Sequence, residues 1–570
     1  MPAEQAPAEQ PMSVVLCWHM HQPEYRDLRT GKVHLPWTYL HATKDYVDMA
    51  AHLEANPEAR AVVNFVPILL EQIEDYAGQV EAYLAGHGVI KDSLLAELAE
   101  PALPGNDQAR LRLMQDCLRA NRERMITRFE PFARLATMAE WYEAHPATLV
   151  YASNQFLADL LVWYHISWMA ESLQRSDPRL KRLRDKAHNF SLHDRRELLQ
   201  IVLEQLQSIV PRYRALAERG QAELSMSPYA HPMVPLLLDM ESAREAMPGV
   251  HLPVATHYPG GKARAHWHMQ QGLATFERVF GRRPVGLWPS EGGVSQQALE
   301  LFGAYGFRWV ASGGNVLKNS HDATSRACSH RVYRFGDVAV DCIFRDDGLS
   351  DLIGFNYSEW HANDAVANLI GHMENIAKVC PDRNDCLIAI ILDGENAWEY
   401  YPENGYYFLD QLYRDLGQHP GLELTTFEQF LRDKSPMPAH ESHLRAGSWV
   451  YGSFSTWIGD PDKNRGWEIL VEAKRTFDEQ IAAGKLSADE ISAAERQLAI
   501  CEGSDWFWWF GDYNPSATVN QFDQLYRTHL SNLYQMLHVE APPYLTEVIS
   551  RGGGQPSRGG VMRHHSENSP

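Results

Sequence analysis

Leu387-Ile388-Ala389-Ile390-Ile391-Leu392 contains no polar residue and runs directly into Asp393-Gly394-Glu395-Asn396-Ala397-Trp398-Glu399-Tyr400-Tyr401. An apolar run of strand length without polar alternation predicts a strand buried on both faces, as in a parallel α/β sheet. Acids and aromatics at the carboxyl end of such a strand stand where α/β barrels carry their chemistry. Taken alone, the same pattern also fits a strand whose terminal Asp caps a following helix.

Pro284-Val285-Gly286-Leu287-Trp288-Pro289-Ser290-Glu291-Gly292-Gly293 is a second short apolar stretch that ends in a carboxylate. Pro289 and the two glycines predict a strand that breaks into a turn. Glu291 alone could be a first-turn helix acid favoured by the dipole. Two strands ending alike suggest instead a pair of carboxylates on one barrel, the arrangement that glycosidic bond cleavage requires.

Working outward, Ser13-Val14-Val15-Leu16-Cys17-Trp18 reads as a first buried strand that leads into His19-Met20-His21-Gln22-Pro23. A second strand is expected at Ala61–Pro67, which gives a β-α-β start with a right-handed crossover. From about Leu70 to Arg219 the pattern is helical and amphipathic, too long for one crossover, and reads as a helical insertion around residues 70–219. Leu149-Val150-Tyr151 is a strand-like interruption within it. Glu223–Pro228, Phe307–Ser312 and Val340–Arg345 resume the strand series. The fold class expected is α/β, a barrel-like domain over residues 12–435. A smaller helical domain is expected over 436–550, with helices at Lys474–Ile500 and Gln521–Leu537. Between those helices, Trp506-Phe507-Trp508-Trp509-Phe510 would be costly to expose and must be buried or line a cleft. Residues 1–11 and the Gly/Ser/Arg-rich residues 551–570 are expected to be disordered.

A chain of 570 residues can hold two or more cores. Its net charge of −21 argues against nucleic acid or an anionic membrane as partner. Seven cysteines, an odd count without a Cys-x-x-Cys pair, fit free thiols in a reducing compartment. No signal-peptide pattern and no bilayer-length apolar run are present, so a cytoplasmic location is expected.

At these residues the sequence resembles glycoside hydrolase family 57. His21-Gln22-Pro23 is similar to the family's first motif and Glu223 to Pro232, with His231, to its second. Trp288-Pro289-Ser290-Glu291 is similar to the third, whose Glu is the nucleophile. Leu392-Asp393-Gly394-Glu395-Asn396 is similar to the fourth, whose Asp is the general acid/base. Gly447-Ser448-Trp449 and the segment from Trp506 to Asp512 resemble the α-amylase and amylopullulanase-like branch. The ordered set is far more specific than any one piece. The resemblance implies an incomplete (β/α)7 barrel with a C-terminal helical domain. It also implies retaining cleavage of α-glucans or maltooligosaccharides without an obligatory metal or other cofactor. Glu24 departs from the pattern, since an aromatic is expected after His-Gln-Pro; Tyr25 stands one place later.

On this reading Glu291 and Asp393 are catalytic. His21, His231, Trp288, Asp351, Trp398, Trp449 and Trp506 are candidate substrate contacts, and Glu395 is a weaker alternative to Asp393. For the histidines the competing role is structural, for the tryptophans core packing, and for Asp351 an ion pair with Arg345. Three other functions remain open: transfer or branching of glucan in place of hydrolysis, glucan binding without catalysis, and metal-dependent hydrolysis or deacetylation. The last would build on His19 and His21, two apart at a strand end, with ligands added from His231, Asp351 or Asp393.

Overall fold

The computed structural model describes residues 10–321, 328–380 and 382–554. The expected disordered ends lie outside the described residues, apart from residues 10–11 and 551–554. Ten strands form one sheet: β1 (Met12–Met20), β2 (Ala61–Phe65), β3 (Ala222–Met226), β4 (Gly286–Leu287), β5 (Trp309–Ser312), β6 (Tyr333–Phe335), β7 (Asp341–Phe344), β8 (Leu387–Asp393), β9 (Leu422–Leu424) and β10 (Ala439–Glu441). Seven of them run parallel in the order β7-β5-β4-β3-β2-β1-β8. No ladder joins β7 to β8. That gap is spanned by the Asp346 backbone N–H donating to Ala389 O at 2.8 Å and by Arg345 Nε donating to Ile391 O at 2.7 Å. The barrel is therefore incomplete, as the resemblance implies. β10, past residue 435, still belongs to the sheet and pairs with β6.

Alternation along the strands divides the core in two. Val15, Cys17, Leu387, Ala389 and Ile391 point into a small cluster with Trp288, Trp309, Ile343 and Phe427 that fills the barrel. Val14, Leu16, Trp18, Ile388, Ile390 and Leu392 face the large outer core shared with the helices. A strand that touches apolar neighbours on both faces needs no polar alternation, which is why β8 reads as an unbroken apolar run.

Helices from Pro67–Leu84 to Leu192–Glu218 form the insertion between β2 and β3. The strand-like Leu149-Val150-Tyr151 lies in a 3₁₀ turn, Pro146–Tyr151. It has no strand edge to pair with, and Val150 and Tyr151 face outward. The expected helix Lys474–Ile500 is two helices, Pro461–Ala482 and Ala488–Cys501. Gly484, with φ +64°, ends the first, and a Ser487/Glu490 capping box starts the second. No helix among the described residues is long and apolar enough to cross a membrane.

Candidate active site

Several strands of the barrel carry polar groups at or beyond their carboxyl ends. His19 is near the end of β1, and its Nδ1 lies 2.7 Å from Asn64 Oδ1 on β2. Asn64 Nδ2 donates to Ser225 Oγ on β3 at 3.1 Å, and Ser227 Oγ donates to Asn64 Oδ1 at 3.0 Å. His231 follows β3, Glu291 follows β4, and Asp393 ends β8 opposite His19 in the ladder. These are carboxyl ends of parallel strands, where side chains from different strands converge on one space. That space is a cavity of about 360 Å³ lined by His19, His21, His231, Glu291, Asp393 and Glu395 at its base. Trp37, Tyr400, Trp449, Trp508 and Trp509 are among its walls.

Glu291 is held in a strained place. Its φ is +58°, in the left-handed region that a residue with a Cβ seldom adopts. Neighbouring bonds fix it there: Trp449 N–H donates to Glu291 O at 3.1 Å, and Ser312 Oγ donates to Gly292 O at 2.6 Å. Its carboxylate accepts from Ser504 Oγ at 3.1 Å and from Trp449 Nε1 at 3.2 Å. His231 shares the strained backbone, with φ +57°, and its Nδ1 lies 2.9 Å from Ser504 Oγ. Asp393 has a simpler setting, with Asn396 Nδ2 donating to Oδ2 at 2.8 Å.

Burial sets the protonation of this mouth. It raises Glu291 to about 8, and the nearby charges of Asp505 and Asp393 push the same way. It raises Asp393 as well, while His21 and Arg345 pull that carboxyl partly back. Burial first, and then neighbouring histidines, lower His19 to about 3 and hold His231 well below its usual value, so both rings are neutral. The rings of His21 and His231 lie 4.0 Å apart. His21 Nε2 is 2.8 Å from Asp505 Oδ1. His21 Nδ1 and His231 Nε2 are buried without a hydrogen-bond partner among the described residues.

Five of the candidate residues line the cavity: Glu291, Asp393, His21, His231 and Trp449. Four do not. Trp288 points inward from the end of β4 and belongs to the barrel's own core. Trp398 turns back under β8, packs edge-on to Trp18 at 5.7 Å and donates from Nε1 to Gly394 O. Trp506 packs against Tyr526 and donates from Nε1 to Ile500 O. It sits on a short helix, Asp505–Trp509, whose turn sends residue 506 inward and leaves 508 and 509 at the cavity. Asp351 accepts from Arg345 Nη2 at 3.0 Å and so has the ion-pair role. Glu395 lines the cavity, but its Oε1 is engaged by His21 N–H, Gln22 Nε2 and the Tyr46 hydroxyl, which ties down the His21-Gln22-Pro23 segment.

Sequence reasoning missed Ser504 and Asp505, which reach the mouth from the far end of the chain. Their only signal was the adjacent aromatic run. His21, His231 and Asp505 can present ligand atoms within 4.8 Å of one another and are the one group among the described residues that could hold a cation. This set differs from the one proposed from sequence, because His19 is bonded to Asn64 and Asp351 to Arg345.

A barrel mouth that gathers two buried carboxyl groups among histidines and tryptophans belongs to the glycoside-cleaving class of enzymes. The glycosyl hydrolase family 57 model matches residues 15–440, and the chain belongs to that family. It is similar in fold to a branching enzyme of the same family from Thermococcus kodakaraensis, with 14% identity over 92% of this chain and 90% of that one and a TM-score of 0.58. It is similar also to a branching enzyme from Pyrococcus horikoshii, with 15% identity, 94% and 96% coverage and a TM-score of 0.55. The α-amylase AmyC from Thermotoga maritima gives 13% identity, 95% and 97% coverage and a TM-score of 0.54.

Proposed function

We propose that this enzyme cleaves α-glucans with retention of configuration, through a glycosyl-enzyme on Glu291, with Asp393 as general acid and base. The observation that carries the reading is that Glu291 and Asp393 line one cavity from strand ends on different sides of the barrel. Glu291 attacks the anomeric carbon while Asp393 protonates the leaving oxygen; Asp393 then takes a proton from the incoming acceptor. This needs one proton and one negative charge across the pair. Burial and mutual repulsion keep a proton there near neutrality. For attack, that proton must sit on Asp393 and the charge on Glu291. The Ser504 hydroxyl and Trp449 Nε1 favour that state, because both donate to the Glu291 carboxylate. The open nitrogens of His21 and His231 suit hydroxyls of the sugar at the cleaved bond, and Trp449, Trp508 and Trp509 suit ring faces.

Water as acceptor gives hydrolysis, and a glucan hydroxyl gives transfer or branching. Aromatic walls contributed by several segments, including Trp37 on one and Trp508 on another, favour keeping transfer as the second reading. Product analysis on amylose, pullulan and maltooligosaccharides separates the two. Shorter products alone mean hydrolysis, while longer chains or new branch points mean transfer. Azide added to Glu291→Ala should restore turnover and give a product of inverted configuration. An inactive wild-type enzyme on all three substrates would defeat the α-glucan assignment.

A further inference from the structure

The cavity extends past its base of histidines and carboxylates to a surface that the reacting groups do not form. Two segments build it: the connection from β1 to β2, and the helical insertion. Trp37 opens the short helix Trp37–His41, and the next turn, Ala42–Tyr46, is π-helical. Such widened turns are rare and recur at functional sites. This one places Asp45 four residues after His41 and buries His41, Lys44 and Asp45 together. Ala170 N–H donates to Thr43 O at 3.0 Å, which fastens the residues just past the helix Asn154–Ser167, Trp168 among them, to the same turn.

Trp37, His41 and Trp168 all line the cavity. His41 meets Trp168 edge-on, with ring centroids 5.4 Å apart, and Trp37 lies 6.3 Å from His41 and 5.9 Å from Trp168. The rings of His19, His21 and His231 form a separate group at the base. The polar atoms of the outer group are unequally engaged. His41 Nδ1 lies 2.7 Å from Asp45 Oδ2, while Lys44 Nζ donates to Asp45 Oδ1 at 2.5 Å and to Asn404 Oδ1 at 2.9 Å. With Asp45 accepting at Nδ1, the neutral imidazole presents Nε2 as a bare acceptor. Nε2 has no hydrogen-bond partner among the described residues. Trp168 is 1% exposed, and its Nε1 is buried without a partner. Lys44 Nζ lies over the Trp168 ring, 5.3 Å from its centroid, whereas Trp37 is only partly buried. A buried Lys–Asp pair is costly to build, and here it fixes one imidazole at the cavity wall.

We propose that Trp37, His41 and Trp168 form a subsite for a glucose unit away from the cleaved bond, with His41 Nε2 accepting one of its hydroxyl hydrogens. The proposal rests on the α-glucan reading above and adds the place where a longer chain is gripped. A glucose unit combines hydroxyl donors and acceptors with an apolar ring face, and this wall offers an acceptor, a donor and an aromatic face. Such a contact contributes only when the substrate is long enough to reach it, and it holds substrate and transition state alike, so its loss appears mainly in KM.

The test uses the full chain and linear maltooligosaccharides up to maltoheptaose. His41→Ala should raise KM for maltoheptaose about tenfold, with a smaller change in kcat and little change on the shortest substrate cleaved. His41→Gln, whose side-chain oxygen still accepts, should recover part of that loss. Calorimetry of maltoheptaose with Glu291→Gln should show a similar loss of affinity when His41→Ala is added, free of any effect on the chemistry. Trp37→Leu, at a partly exposed residue, should repeat the dependence on chain length if the His41 variants prove unstable. The proposal is overturned if His41→Ala leaves the calorimetric affinity unchanged. It is overturned equally if every chain length loses the same factor, since His41 would then act at the cleaved bond or in the fold alone. Failure of the underlying reading looks different: Glu291→Gln with His41 intact binds no maltooligosaccharide, and both fall together.

Discussion

The two arms that carry the carboxyl groups are built differently. Asp393 closes a seven-residue strand paired along its length to β1, and its backbone simply continues that extension. Glu291 follows a strand of two residues and sits in left-handed backbone, on a turn tied by Trp449 and Ser312. One arm is positioned by local strand geometry. The other is positioned by contacts from distant segments that outweigh a conformational cost of about 1–3 kcal/mol. Direction is thus cheap for Asp393 and costly for Glu291.

If both arms end in reacting groups, Glu291→Gln and Asp393→Asn should each lower kcat on maltooligosaccharides by about 10³-fold or more, with thermal midpoints at or above wild type. Near wild-type turnover in either would remove that residue from the mechanism. The adjoining glycines separate the arms. At Gly292, φ is +58°, and an added Cβ would meet Trp288 at 3.0 Å and Trp449 at 3.2 Å. Gly292→Ala should therefore lower the thermal midpoint and reduce kcat by roughly 10- to 100-fold. At Gly394 the nearest obstacle is the flexible end of Met20, so Gly394→Ala should cost only a few-fold. Equal effects at both positions would contradict the contrast.

The donors to Glu291 allow a finer measurement. Trp449→Phe removes the Nε1 bond but keeps an aromatic wall, and should lower kcat by roughly 3- to 10-fold. The activity profile should fall above about pH 8 as the last proton leaves the pair. The same shift has a sign for stability. Glu291 holds its proton up to about 8 when folded, against a usual value of 4.5. Between those values the folded state binds more protons, so stability declines as pH rises through the window. Glu291→Gln should remove that decline, which makes the variant's gain in thermal midpoint larger at pH 8 than at pH 5. The smallest effect expected is that of chelation. His21 is already paired with Asp505, and His231 with Ser504, so turnover after exhaustive EDTA treatment should be unchanged. A tenfold loss restored by zinc would make that trio a working metal site.

Legibility followed the range of the interactions. β1, β2, β5, β7 and β8 were readable because burial on both faces writes itself as largely apolar stretches, whereas β3 alternates Glu223 and Ser225 with Ala222, Leu224 and Met226. The turn at 483–487 was present in the sequence as Gly484 and Ser487, yet was overrun by a continuing helical period. Leu149-Val150-Tyr151 had strand composition but no edge to join. The tryptophans were the least legible. Trp288 and Trp449 lie 5.2 Å apart, one in the barrel's core and one on the cavity wall, and only the direction of each side chain separates them.

The sequence by itself determined the parallel strands, the two acids that end them and the family to which the chain belongs, because strand burial and short motifs are local properties. Tertiary structure decided the rest: that Ser504 and Asp505 reach Glu291 and His21 from the far end of the chain, and that Trp508 and Trp509 line the cavity in place of Trp506. Those arrangements depend on which surfaces pack together, and sequence spacing carries no record of distances closed across hundreds of residues.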